Sequence, residues 1–154
     1  MRRPIRMALV AVPLVACVTP AAIPTERVVP GPTSAVAARI EAALSTLGLR
    51  RTQASAVAIE GETRLASADW ASCPPALVSD GDDRRRMVGA EQRRARVHVD
   101  LAPAGAAGPQ SETVVRVTAT FAAGYRNPFT GYGLERECRS RGVVERALLD
   151  AAAS

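Results

Sequence analysis

The chain has 154 residues, room for one domain and too few for two ordinary ones. Apolar residues make up 47% and aromatics only 3%, so the core has to be built from Ala, Val, Leu and Ile. Twenty basic residues, every one Arg, stand against fifteen acidic ones for a net +5; this composition excludes a disordered acidic tail, a collagen, a coiled coil and a polytopic membrane protein.

Arg2, Arg3 and Arg6 precede an apolar stretch, 7–16, that is interrupted by Pro13. Ten residues rise about 15 Å as a helix, half of a hydrocarbon core of about 30 Å. Residues 1–16 therefore read as a signal peptide. Leu14-Val15-Ala16-Cys17 resembles a bacterial lipobox, in which the cysteine is lipidated and becomes the first mature residue. The resemblance implies lipidation at Cys17, attachment to a membrane through the N-terminal lipid, and a domain facing the periplasm. Val18, where an Asp would favour the inner membrane, points to the outer membrane. An ordinary signal peptide with an incidental cysteine is the competing reading. Twin-arginine export is a weaker one, because Pro4 and Ile5 do not support it. Without residues 1–16 the chain keeps 17 Arg and 15 acidic residues, a net +2. That charge gives no argument for a nucleic-acid partner.

Residues 17–32 read as the lipidated N-terminus and a tether, with Pro20, Pro24, Pro30 and Pro32 keeping it extended. The remainder, 33–154, is expected to be a single periplasmic domain. Thr33 or Ser34 can cap a helix over 34–48, in which Val36, Ile40, Ala43, Leu44 and Leu47 share one face and Gly48 is the stop. Residues 49–68 hold one or two strands, with Val57 and Ile59 alternating with small or polar residues. A loop follows at 70–75, then a short strand at 76–78 and a turn at Asp80-Gly81-Asp82-Asp83. The clearest strands are 93–101 and 112–121. Ala95, Val97, Val99 and Leu101 alternate with Arg94, Arg96, His98 and Asp100, and Val115, Val117, Ala119 and Phe121 alternate with Arg116, Thr118 and Thr120. Residues 102–111 connect them. A strand over 133–138 leads to Ser140, which can cap a last helix carrying Val144, Ala147, Leu148 and Ala151 on one side. The expected class is α+β: an antiparallel sheet of about four to five strands packed against an N-terminal and a C-terminal helix.

Once Cys17 is set aside, Cys73 and Cys138 are an even pair in an oxidising compartment and are expected to form a disulfide. The rival is a pair of free thiols in a metal or redox site. It lacks a C-x-x-C motif, and the chain has one His.

His98 is that histidine, two residues from Asp100, a spacing that a Ser nucleophile could use. No G-x-S-x-G accompanies it, and a solvated strand-face His is the plainer reading. Asp80, Asp82 and Asp83 could approach a hard cation, but further oxygen ligands do not follow and the run turns to Arg84, Arg85 and Arg86. The Arg groups 84–86, 93–94–96 and 136–139–141 suit lipid or lipopolysaccharide phosphates. The plain reading is that Arg is the only basic side chain other than His98 in this chain. Four of the five aromatics lie within 121–132. Tyr125, Phe129 and Tyr132 are the candidate binding surface, weighed against a core role for the segment. No catalytic residue, metal site or cofactor is expected.

The lipobox, the tether, the first helix, Asp69-Trp70, Cys73-Pro74, Asn127 with Phe129-Thr130-Gly131, and Cys138-Arg139-Ser140 before a final helix together resemble a family of small uncharacterised proteobacterial lipoproteins. In architecture alone the chain is also similar to the helix-grip domains of the BamC lipoprotein of the β-barrel assembly machine. The resemblance implies a non-catalytic binding or accessory role in the cell envelope, with an envelope protein as partner. The alternatives are a periplasmic lipid or small-ligand carrier and an envelope enzyme or inhibitor.

Overall fold

The computed structural model describes residues 22–79, 81, 85–105 and 111–154. In chain order these form β1 (Glu26–Pro30), α1 (Thr33–Thr46), β2 (Arg50–Ala54), β3 (Ala58–Thr63), β4 (Ala71–Ser72) and β5 (Ala76–Ser79), followed by β6 (Arg85–Val88), β7 (Gln92–Pro103), β8 (Glu112–Arg126), β9 (Gly133–Ser140) and α2 (Val143–Ala153).

The helix boundaries follow from local chemistry. Pro32 is the N-cap of α1, with extended backbone, and neither Thr33 nor Ser34 caps it through a side chain. At the other end Gly48 adopts φ 71°. That left-handed residue lets Leu49 N–H reach the Leu44 carbonyl at 2.9 Å and Gly48 N–H reach the Ser45 carbonyl at 3.0 Å. The pair of bonds is a Schellman stop, which satisfies two otherwise orphaned carbonyls. Gly142, at φ 74°, is the N-cap of α2. Ser140 stands just outside, accepting from Gly142 N–H at 3.0 Å and donating to Glu145 at 2.6 Å.

The main sheet has seven strands in the order β2-β3-β7-β8-β9-β4, with β1 also on β8, and β5–β6 is a separate hairpin. The pairings are antiparallel. This corrects the expected class of a four- to five-stranded α+β sheet: the fold is β-rich, with two helices among the described residues. Strand β8 organises it. One edge pairs with β7 from Gly124 to Thr113. The other edge is shared end to end, β1 taking Glu112 to Arg116 and β9 taking Phe121 to Arg126.

Three strands escape the sequence pattern for identifiable reasons. β1 lies inside the segment expected to be tether. Pro30 ends it, and the strand sits on a sheet edge, where a missing N–H is tolerated. The tether reading for 17–32 therefore fails over 26–30. β4 is two residues long. β6 is largely exposed and Arg-rich, without a period of two.

One face of the sheet carries the core. Val36, Ile40 and Leu44 of α1, with Val144, Leu148 and Leu149 of α2, cover Ile59, Val97, Val99, Leu101, Val115 and Val117. Farther along β8 the same face carries Ala123 and Tyr125, and there the β5–β6 hairpin is the cover, through Ala76 and Val88. Cys73 and Cys138 pack against both clusters and are bonded to each other, their Cα atoms 4.6 Å apart. The disulfide thus joins the two halves of the interior. No helix among the described residues is long and apolar enough to cross a membrane.

Candidate functional site

The uncovered face of the sheet is polar, and its charges answer one another across strands. Register places Glu62, Arg96 and Thr120 in one row, and Glu60, His98 and Thr118 in the next. Arg50 bonds Glu62 at 2.7 Å and Arg116 bonds Glu26 at 2.6 Å. Arg94 bonds Glu135. The paired groups are exposed apart from half-buried Glu62, and surface pairs of this kind contribute ~0–1 kcal/mol each.

His98 sits between two carboxylates. Nδ1 is 3.2 Å from Glu60 Oε1, and Nε2 is 3.0 Å from Asp100 Oδ1. The sequence reading paired His98 with Asp100 and missed Glu60, because nothing local sets the register between β3 and β7. With a carboxylate on each ring nitrogen, neither nitrogen is turned toward a hydroxyl, as a triad base requires. The arrangement suits an imidazolium that clips β3 to β7. The hydrogen bond to Asp100 holds the His98 pKa above its ordinary 6.5, helped by Glu60 and by both negative charges and opposed by partial burial. A folded-state pKa above the unfolded one adds stability that is full below the unfolded value and is lost as pH rises through the folded value. Urea midpoints for the wild type should therefore fall between about pH 6 and pH 8 by more than those of His98→Gln. Equal pH dependence in the two proteins would show that the clip does not exist.

The aromatic segment divides. Tyr125 is 2% exposed, and its hydroxyl donates to the Pro74 carbonyl at 2.7 Å. It belongs to the core under the hairpin, which removes it from the candidate binding surface. The alternation of β8 runs on through Gly124, whose missing side chain falls on the open face. Phe129 is half-buried in the loop between β8 and β9, where its N–H donates to Asn127 Oδ1 at 2.9 Å. Asn127 ties that loop to the hairpin through a bond from Nδ2 to the Ser79 carbonyl at 2.7 Å. Tyr132 is 79% exposed and remains a surface residue. Phe121 is buried in the main core.

Two apolar residues that the sequence did not single out join that end of the molecule. Leu77 and Met87 face each other across β5–β6 and are 53% and 57% exposed. Period-two alternation around Ala76 and Val78 was the available signal for Leu77. For Met87 none existed until the hairpin partner was known.

Cys17, Asp80, Asp82, Asp83 and Arg84 lie outside the described residues. Among the described residues no group of three or more His, Cys, Asp or Glu side chains is placed to hold a metal ion. Of the Arg groups, Arg94 is ion-paired to Glu135, and Arg139 and Arg141 flank the turn into α2. Between helices and sheet the space is filled by fully buried Val36, Ile40, Val97, Val99, Val117 and Leu148. Compared with protein-family models, curated proteins and solved structures, the chain matches none.

Proposed function

We propose that the chain is a membrane-anchored bacterial lipoprotein with a non-catalytic binding or accessory role in the cell envelope, probed on its periplasmic side by an envelope protein. The observation that carries this reading is the division of the cysteines. Cys73 and Cys138 are joined, and the third, Cys17, follows a basic start and a short apolar stretch. A disulfide suits an exported domain, and a lone cysteine at that position suits lipid attachment. Two features weigh against the alternatives. The filled space between helices and sheet leaves no room there for a carried lipid. His98 is engaged by two carboxylates on an open, solvated face.

The test is fractionation of cells that express the full chain. The wild type should carry an acyl mass on Cys17 and sediment with membranes, and Cys17→Ser should appear in the soluble periplasmic fraction. A Cys17→Ser protein that still sediments with membranes would overturn the anchor. Crosslinking in living cells, with Cys17→Ser as the mislocalised control, would then identify the partner.

A further inference from the structure

Given the lipid anchor proposed above, the place where the chain leaves the sheet decides which part of the domain meets the membrane. The chain enters the sheet at one corner. The Thr25 carbonyl accepts the Val117 N–H at 2.7 Å, just before β1 begins. Ile23 lies against Gly142: a Cβ on that glycine would fall 2.9 Å from Ile23 Cγ2 and 2.7 Å from Arg146 Nη1. From Ile23 back to Cys17 is a separation of six residues. At 3.3–3.6 Å per residue, six residues reach at most about 21 Å. An acyl chain on Cys17 therefore holds this corner within about 20 Å of the headgroups.

The corner is basic. Arg139 and Arg141 are exposed on either side of Ser140, and exposed Arg146 donates to the Arg141 carbonyl at 3.1 Å. Among the described residues none of the three forms an ion pair, in contrast to Arg50, Arg94 and Arg116 on the open face. Asp150 is bonded to Arg27 at 2.9 Å. Glu145 is 3% exposed and takes the Ser140 hydroxyl. Asp69 and Glu137 are exposed. Three guanidinium groups without an ion pair thus outnumber the two exposed carboxylates. Trp70 borders the group, its carbonyl accepting Arg141 N–H at 2.9 Å. A guanidinium binds phosphate oxygens in pairs.

We propose that Arg139, Arg141 and Arg146 dock this corner onto the phosphates of anionic phospholipid headgroups in the membrane that holds the Cys17 lipid. The lipid would supply attachment, and the Arg group would set the orientation of the domain on the membrane.

Trp70, the chain's one tryptophan, is a built-in reporter. The full-length protein, purified with its lipid, would be reconstituted into vesicles that contain dansyl-labelled phosphatidylethanolamine. The matrix would be phosphatidylglycerol in one set and phosphatidylcholine in the other. Energy transfer from Trp70 to dansyl should be stronger in phosphatidylglycerol and should fall to the phosphatidylcholine level at about 1 M salt, where the screening length is about 3 Å. The triple variant R139E/R141E/R146E should lose the difference between matrices while keeping the wild-type circular dichroism. If the triple change unfolds the protein, Arg139→Glu alone serves, with a partial loss expected. Equal transfer in the two matrices, or a difference that survives charge reversal, overturns the proposal. Intact mass separates the two readings: without an acyl group on Cys17 both fail, whereas an acylated protein without the phosphatidylglycerol preference loses only the docking corner.

Discussion

Replacing Cys73 and Cys138 together by Ser should lower the free energy of unfolding by about 4 kcal/mol. The bond closes a loop between residues 65 apart in sequence, and restricting a loop of that length in the unfolded chain gives this size in the chain-entropy model. Against a usual total of about 5–15 kcal/mol, the loss leaves a folded but fragile domain or none. The position of the bond adds a local effect. Beyond Cys73 the hairpin is attached to the sheet by few polar contacts: the Tyr125 bond to Pro74, the Asn127 bond to Ser79 and the Glu91 N–H bond to the Gly124 carbonyl. Without the disulfide the hairpin should open before the helix-covered core does. Urea unfolding of the double variant, followed by circular dichroism, measures the global term. Amide exchange on β5 and β6 measures the local one. A loss below about 1 kcal/mol with unchanged hairpin protection would contradict both parts of the argument.

The parts of this fold legible in the sequence are those whose reasons are local. α1 shows its buried face at helical spacing and ends where Gly48 allows a left-handed residue. The central pair β7–β8 shows alternation over many residues, because one face meets the helices and the other meets water. The illegible parts depend on distant partners. β1 is a strand because β8 offers it an edge, and the prolines in and around it argue for a tether when read alone. β6 is held by β5, and its own residues show no period. The site residues divide the same way. The Cys73–Cys138 pair was available from counting and compartment. Glu60 became a partner of His98 only through the β3–β7 register. Tyr125 lies beyond the strand legible at 112–121, just after Gly124. A glycine on the open face of a paired strand removes no core contact, so β8 passes through it.

The burial of Tyr125 and the exposure of Tyr132 set three variants apart. Tyr125→Ala should destabilise the domain by about 3–5 kcal/mol, the range for removing a large buried aromatic. The ring fills the space between β8 and the hairpin beside Ala76, Ala123 and Leu134, and its loss also strands the Pro74 carbonyl that the hydroxyl serves. Tyr125→Phe keeps the ring and removes only that hydrogen bond, so its cost should be about 0.5–1.5 kcal/mol, somewhat more if Pro74 stays dry. Tyr132→Ala should lie within about 0.5 kcal/mol of wild type, since its side chain is outside the packed interior. Urea unfolding of the three variants orders them in one experiment. The expected order is Tyr125→Ala far below Tyr125→Phe, with Tyr132→Ala near the wild type. If Tyr125→Ala were as stable as the wild type, the hairpin would not be seated on β8 and the second core would be wrong. If Tyr132→Ala stayed folded and lost a crosslinked envelope partner, the exposed end of the β8–β9 loop would be a contact surface. If it stayed folded and kept the partner, contact would lie elsewhere on the domain.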